Sequence, residues 1–338
     1  MKKRTLLAFC CLFSSFGYAQ HFHNLVNDIP SSFRGLETYK EKVIWVSGSR
    51  GTVGKSVDAG KTWQWVNPKG YEGFDFRDIE VFSAREAVIV NAGSPAVILH
   101  TKDGGKTWKE VYRDERKEIF LDGMDFLGKT GYIYGDPIDG AFQLLKSTNK
   151  GKSWQDVSKH IILFAEAEEG GFAASGTGIQ VFPNRVYMAS GGRYSSFYNR
   201  NDKENSLDVT DVPIWSGESG TGIFSIDFLN PNEGIAVGGN YMADKDNRNN
   251  ILLTKDAGKT WQKPQQPVGG YRSCVKYISP HVLVATGTSG TDLSRDGGQT
   301  WTNISPGSFN VIAVSKSGKH IYLAGSNGNI ERLDLNPD

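Results

Sequence analysis

Five octets of nearly one composition constrain this chain more than any other feature: 56–63, 101–108, 147–154, 254–261 and 294–301. Each reads Ser/Thr, any residue, Asp/Asn, any residue, Gly, Lys/Gln, Thr/Ser, Trp. The acid or amide at Asp58, Asp103, Asn149, Asp256 and Asp296 can accept bonds from backbone N–H groups ahead of it and close an Asx-type turn. The glycine two places on supplies a left-handed backbone, and the Thr/Ser-Trp pair starts a strand on a large apolar anchor. Each octet therefore predicts a hairpin turn. The acid positions are 45, 46, 107 and 40 residues apart, so the period is in the forties and the long gap spans two periods with one octet missing. Several strands per period of that length specify a propeller whose blades are four-stranded sheets.

Forty glycines, 13 tyrosines, 18 phenylalanines and 8 tryptophans fit an all-β chain of short strands and tight turns. The expected architecture is one domain, a seven-bladed β-propeller of four-stranded antiparallel blades, over residues 20–338. In blade one the strands read from Phe33, Val43, Thr52 and Thr62, with the octet between the third and fourth. Blades two and three repeat this from Phe76 and Gly123. In blade four, Gly171 to Ser175 and Val186 to Ser190 read as the first and second strands, and Tyr198 to Asp211 reads as a long polar loop. Blade five begins at Gly222 and blade six at Tyr271. The run from Val311 to Leu335 holds only three strands, so the N-terminal run His21 to Ile29 is expected to supply the fourth and close the ring, removing an exposed sheet edge.

Lys2, Lys3 and Arg4, then an apolar run from Leu6 to Phe16 and small residues before Gln20, read as a secretory signal peptide over residues 1–19. The run is too short to span a bilayer, so the expectation is an exported chain, periplasmic or extracellular, with no membrane insertion after cleavage. Cys10 and Cys11 fall in that segment and leave Cys274 alone, so no intramolecular disulfide is expected. With 38 basic and 37 acidic residues the net charge argues against nucleic acid as a partner. A monomer is expected.

The octets resemble the Asp-box, or BNR-type, repeats of sialidases and related propellers. More closely, Phe33-Arg-Gly-Leu36, the run from Val43 to Trp63, Gly170-Gly-Phe-Ala-Ala-Ser-Gly-Thr177 and Gly222-Ile-Phe-Ser-Ile-Asp227 resemble exported bacterial relatives of the photosystem II stability and assembly factor propellers. That resemblance implies a non-catalytic propeller that binds or chaperones a partner.

Propeller topology puts the octets on one face and the turns between second and third strands, with the crossings between blades, on the other. On that second face Arg34, Arg77 and Arg272 are expected at matching starts of innermost strands, with Arg50 and Arg193 in neighbouring turns. Planar guanidinium groups suit carboxylate or phosphate, so these five are the candidate ligand-binding residues, for a protein partner or another anionic or glycan ligand. The alternative function is a glycan-active hydrolase with Glu169 and Glu218 as candidate acid and base. Asp136 and Asp139 share their face, and Tyr194, Tyr241 and Tyr271 are possible nucleophiles for a sialidase-like reaction. The phosphate-loop-like run Ser49 to Ser56 reads as a blade turn because no helix follows it. No dinucleotide-binding βαβ pattern is present, and His21 and His23 stand apart from the other four histidines, so neither cofactor nor metal is expected. Asp244 to Asn250 reads as a solvated loop.

Overall fold

The computed structural model describes residues 20–335, so the signal-peptide segment 1–19 lies outside the described residues. Seven antiparallel sheets form the blades of a propeller, almost without helix. Blade one is Phe33–Tyr39, Val43–Gly48, Val53–Ser56 and Gln64–Trp65, running from axis to rim, and its octet joins the third strand to the fourth. Blades two, three and six repeat the pattern. Blade seven is Val311–Val314, Ile321–Ala324 and Ile330–Asp334, completed at the rim by His21–Val26. The chain start thus closes the ring, as its sequence predicts. No helix among the described residues is long and apolar enough to cross a membrane.

The octets work as the turn chemistry requires. In blade two, Asp103 Oδ1 accepts from Thr107 N (3.0 Å) and Oδ2 from Thr107 Oγ1 (2.6 Å), while Thr101 Oγ1 accepts from Gly105 N (3.0 Å). The Thr107 hydroxyl bond, then its N–H, holds the Asp103 carboxyl down at about 2. Each octet glycine also meets the preceding blade. A Cβ on Gly105 would fall 2.6 Å from Val66 Cγ2, one on Gly151 would fall 2.5 Å from Val88 Cγ2, and Trp108 Nε1 donates to Val66 O at 2.9 Å. The octet therefore closes a hairpin and locks neighbouring blades at once. Apolar clusters fill each space between blades, for example Trp45, Phe76, Ile79, Ile89, Val97 and Leu99 between blades one and two.

Blade four departs from the sequence reading in two ways. Its innermost strand is Ile179–Phe182, not Gly171 to Ser175, and 198–211 is no loop: Ser196–Asn201 and Ser206–Asp211 are its third and fourth strands. Phe197 and Tyr198 project to opposite faces of that sheet, into the cores shared with blades five and three, so aromatic burial takes the place of the absent octet. Asn201 Oδ1 closes the outer turn by accepting from Lys203 N (3.1 Å) and Glu204 N (3.2 Å). In blade five the fourth strand shrinks to one bridge, Leu253 with Gln262.

Candidate functional site

Four innermost strands carry a β-bulge at one equivalent point, and the extra residue is Arg34, Arg77, Asp122 or Phe224 in blades one, two, three and five. A bulge bends the strand and re-aims the unpaired side chain. These residues gather around the mouth of the channel on the face away from the octets. Arg34 and Arg77 stand side by side there. Burial, then the neighbouring Arg77 charge, pulls the Arg34 guanidinium below its ordinary value, offset in part by Tyr271 and Asp75. Arg77 is paired with Asp75 at 2.8 Å and lies 5.9 Å from the Phe120 ring centroid, both partners at the rim of the mouth. Beside them is an aromatic shelf: Phe172 stacks on Phe224 (3.7 Å between centroids), Tyr271 meets Phe224 edge-on (4.7 Å), and exposed Tyr241 flanks both.

The other predicted arginines are placed differently. Arg50 is exposed in the second turn of blade one, with a left-handed backbone (φ 59°). Arg193 lies 3.5 Å from Glu168, both exposed. Arg272 is fully buried: Nε and Nη2 face Asp292 Oδ2 (2.7 and 2.5 Å) and Nη1 donates to Tyr271 O and Ser289 Oγ. Its position does not match Arg34. Gly48 packs on the residue before Phe33, and Gly287 packs on the residue before Arg272, so Arg272 occupies the inward place of Phe33 and Ser273 the place of Arg34. The expected three-arginine convergence is a two-arginine pair.

The candidate acid and base do not stand in one environment. Glu169 is buried, accepts from Ser190 Oγ, from Tyr198 OH (3.2 Å) and from Glu166 N (2.8 Å), and ties two crossings together. Glu218 is exposed and accepts from Asn240 Nδ2 at 3.2 Å. Among the described residues no group of three or more His, Cys, Asp or Glu is arranged to hold a metal ion.

Two features of the channel escaped sequence reasoning. The run Gly170 to Thr177 crosses the mouth and bonds to blades on several sides. Arg34 Nη1 donates to Ala174 O (3.0 Å), Ser175 Oγ to Ser273 O (2.7 Å), Thr177 Oγ1 to Ser225 Oγ (2.6 Å), and Gly171 N to Asp136 Oδ1 (2.9 Å). It is a plug. Gly176 allows it, because a Cβ there would collide with the Asp78 carboxylate. Beneath the plug is a cavity of about 250 Å³ lined by Glu37, Asp78, Glu80, Asp125 and Asp227, with Lys276 as the counter-charge at 3.2 Å from Asp227. Burial raises Glu37 and lifts Asp78 and Glu80 well above the carboxylate range, and raises Asp125 to about 7. Burial opposes the Lys276 charge, but Asp227 and the other acids hold its pKa above the usual value. The signal was present in the sequence: counting three residues on from Arg34, Arg77, Asp122, Phe224 and Ser273 gives Glu37, Glu80, Asp125, Asp227 and Lys276.

The fold and this geometry define an Asp-box β-propeller with seven blades, a plugged channel and a polar mouth. Within that class the model of the family described as Photosynthesis system II assembly factor YCF48 matches residues 19–117 and again 77–164, and the chain resembles that family. A structure of YCF48 bound to D1 peptide superposes with a TM-score of 0.66 at 16% identity, over 94% of this chain and 95% of that one. YCF48 from Cyanidioschyzon merolae gives 0.62 at 17% identity, over 93% and 98%. A xyloglucanase from Paenibacillus sp is 23% identical over 312 residues, 78% of this chain but 30% of that protein, so the chain spans under a third of that relative's length. The GH74 xyloglucanase from Xanthomonas campestris superposes with a TM-score of 0.60 at 15% identity, over 92% of this chain and 53% of the other. At these identities the structural likenesses speak for the fold.

Proposed function

We propose that this protein is an exported, non-catalytic propeller that binds a protein partner as an assembly or stability factor, through the channel-mouth face that carries Arg34 and Arg77. The observation that carries this reading is the pair itself: two bulges on adjacent blades aim two guanidinium groups into one mouth beside an aromatic shelf. A carboxylate or other anionic group of the partner is the natural occupant, since fixed guanidinium forks bind such groups in two-point fashion. Arg50 extends the basic surface outward. Similarity to a propeller solved as YCF48 bound to D1 peptide supports a peptide or protein ligand here too.

Affinity capture from the exported fraction with wild-type bait is expected to return one specific partner, and the Arg34→Ala/Arg77→Ala bait is expected to lose it. Undiminished capture by the double variant overturns the assignment of this surface.

A second reading, a glycan-active hydrolase, is favoured by the likeness to xyloglucanase. Its carboxylate pair would have to include Glu169, whose oxygens already brace Ser190, Tyr198 and Glu166. Turnover of xyloglucan or a sialoside that is lost in Glu169→Gln or Glu218→Gln would support that reading over the first.

A further inference from the structure

We infer that a cleft on the mouth face, beside the arginine pair, accepts a basic, apolar-flanked segment of the partner: a lysine or arginine side chain in the cleft, with an apolar neighbour on its rim. The cleft, about 770 Å³, lies between the second turn of blade three and the crossings around blades four and five. Its wall carries the carboxylates Glu118, Asp136, Glu166, Glu168 and Glu169, and no lysine or arginine is among its lining residues. Glu169 is occupied internally, and Asp136 accepts from Gly171 N. Glu118, Glu166 and Glu168 are exposed, and the one cation in ion-pair range of them among the described residues is Arg193, at Glu168.

Two further observations are independent of that charge count. Asp122, only 1% exposed, has neither carboxylate oxygen hydrogen-bonded, and it is directed at Gly171 in the cleft wall, where a Cβ would run into the carboxylate. Burial, then the Asp136 charge, lifts the Asp122 carboxyl well above the carboxylate range against the pull of the Arg77 charge, and a cation in the cleft would oppose that rise across the wall. In the loop that leads into the lining residue Ala165, Phe164 is 73% exposed and Ile162 47%, yet the loop is well tethered: Phe164 bridges Ala141, Tyr198 OH donates to Phe164 O (3.0 Å) and Ala165 N to Gly140 O (3.0 Å). A fixed loop that exposes a phenylalanine ring one residue from the lining of an acidic cleft fits a partner with both a positive charge and an apolar side chain. A simple cation would leave the ring uncovered, and an anionic segment would be repelled.

This inference rests on the partner-binding reading of the mouth face but uses different residues, so the two can fail separately. Fluorescence anisotropy of the full chain with a labelled hexapeptide alternating Lys and Leu is expected to show saturable binding. The matching Glu/Leu and Ser/Leu peptides are expected to show none. Glu166→Gln/Glu168→Gln, both at exposed positions that leave the fold intact, is expected to weaken binding about tenfold, the loss of two partly exposed ion pairs. Phe164→Ser is expected to weaken it as well. Equal binding of the Lys/Leu and Ser/Leu peptides, no binding of either, or equal affinity in the Glu166/Glu168 variant would each overturn the inference. Spermine bound in the cleft with no peptide binding would overturn it in favour of a small-cation site.

Discussion

Asp292→Ala is expected to destabilise the fold by about 3–5 kcal/mol, because it leaves a buried guanidinium without its counter-ion. Asp292 holds four groups at once: Arg272 through Nε (2.7 Å) and Nη2 (2.5 Å), Gly269 N (3.0 Å) and Asn303 Nδ2 (3.1 Å). Both side chains are essentially without solvent contact, so water cannot replace what the substitution removes. The Arg77–Asp75 pair at the mouth is partly exposed, and Arg77→Ala is expected to shift stability by no more than about 1 kcal/mol. Urea unfolding of the two variants separates an arginine that braces blade six from one in a partly exposed pair at the mouth. The double replacement Arg272→Met/Asp292→Leu is expected to recover part of the loss, since apolar groups of similar volume remove the desolvation penalty of both charges. A cost under about 1 kcal/mol for Asp292→Ala would contradict the buried-pair account.

Asp125→Asn is expected to stabilise the protein at pH 8 and to leave it nearly unchanged at pH 4. Burial lifts the Asp125 carboxyl from 3.8 to about 7 in the folded state, against the N–H of Val181 and the charge of Lys276, with Glu37 adding repulsion. A folded pKa above the unfolded one means that stability is fully present below about pH 4 and is lost as pH rises towards 7. Asparagine carries no charge at any pH and keeps an oxygen for Val181 N, so it escapes that loss. About three pKa units set a ceiling near 4 kcal/mol for the gain at pH 8. The charged groups facing Asp125 are Glu37 of blade one, Asp78 and Glu80 of blade two, Asp227 of blade five and Lys276 of blade six. The acids raised by burial among them shift stability in the same direction. Unfolding midpoints that fall in Asp125→Asn at pH 8 would contradict this picture of the channel.

Much of the fold was legible because turn chemistry is local. An Asp, a Gly and a Trp at fixed spacing write the same hairpin five times, and their period counts the blades. Ring closure followed from a last blade one strand short. What failed depended on register. Tyr271-Arg272 looks like Phe33-Arg34 in sequence, but a one-residue offset turns Arg272 from the mouth into the core. The outer hairpin of blade four looked like a loop because its charged and amide residues dominate the composition, whereas Phe197 and Tyr198, pointing opposite ways, decide its burial. Within the run Gly170 to Thr177, the stretch Gly171 to Ser175 reads as a strand from its small and apolar residues. Its bonds to Arg34, Asp136, Ser225 and Ser273 come from the closed ring and have no local signature. Of the candidate site, the matching positions of Arg34 and Arg77 and the shared face of Glu169 and Asp136 are legible in sequence, while Asp122 is not, because a bulge residue of opposite charge breaks the pattern.

The proposed partner is expected to meet the channel-mouth face and not the octet face. A photo-crosslinking residue placed at Arg50 on the mouth face and, separately, at Lys106 in an exposed octet turn tests it directly. A covalent adduct with the partner is expected from position 50 and none from position 106. An adduct from position 106 with none from position 50 would contradict it.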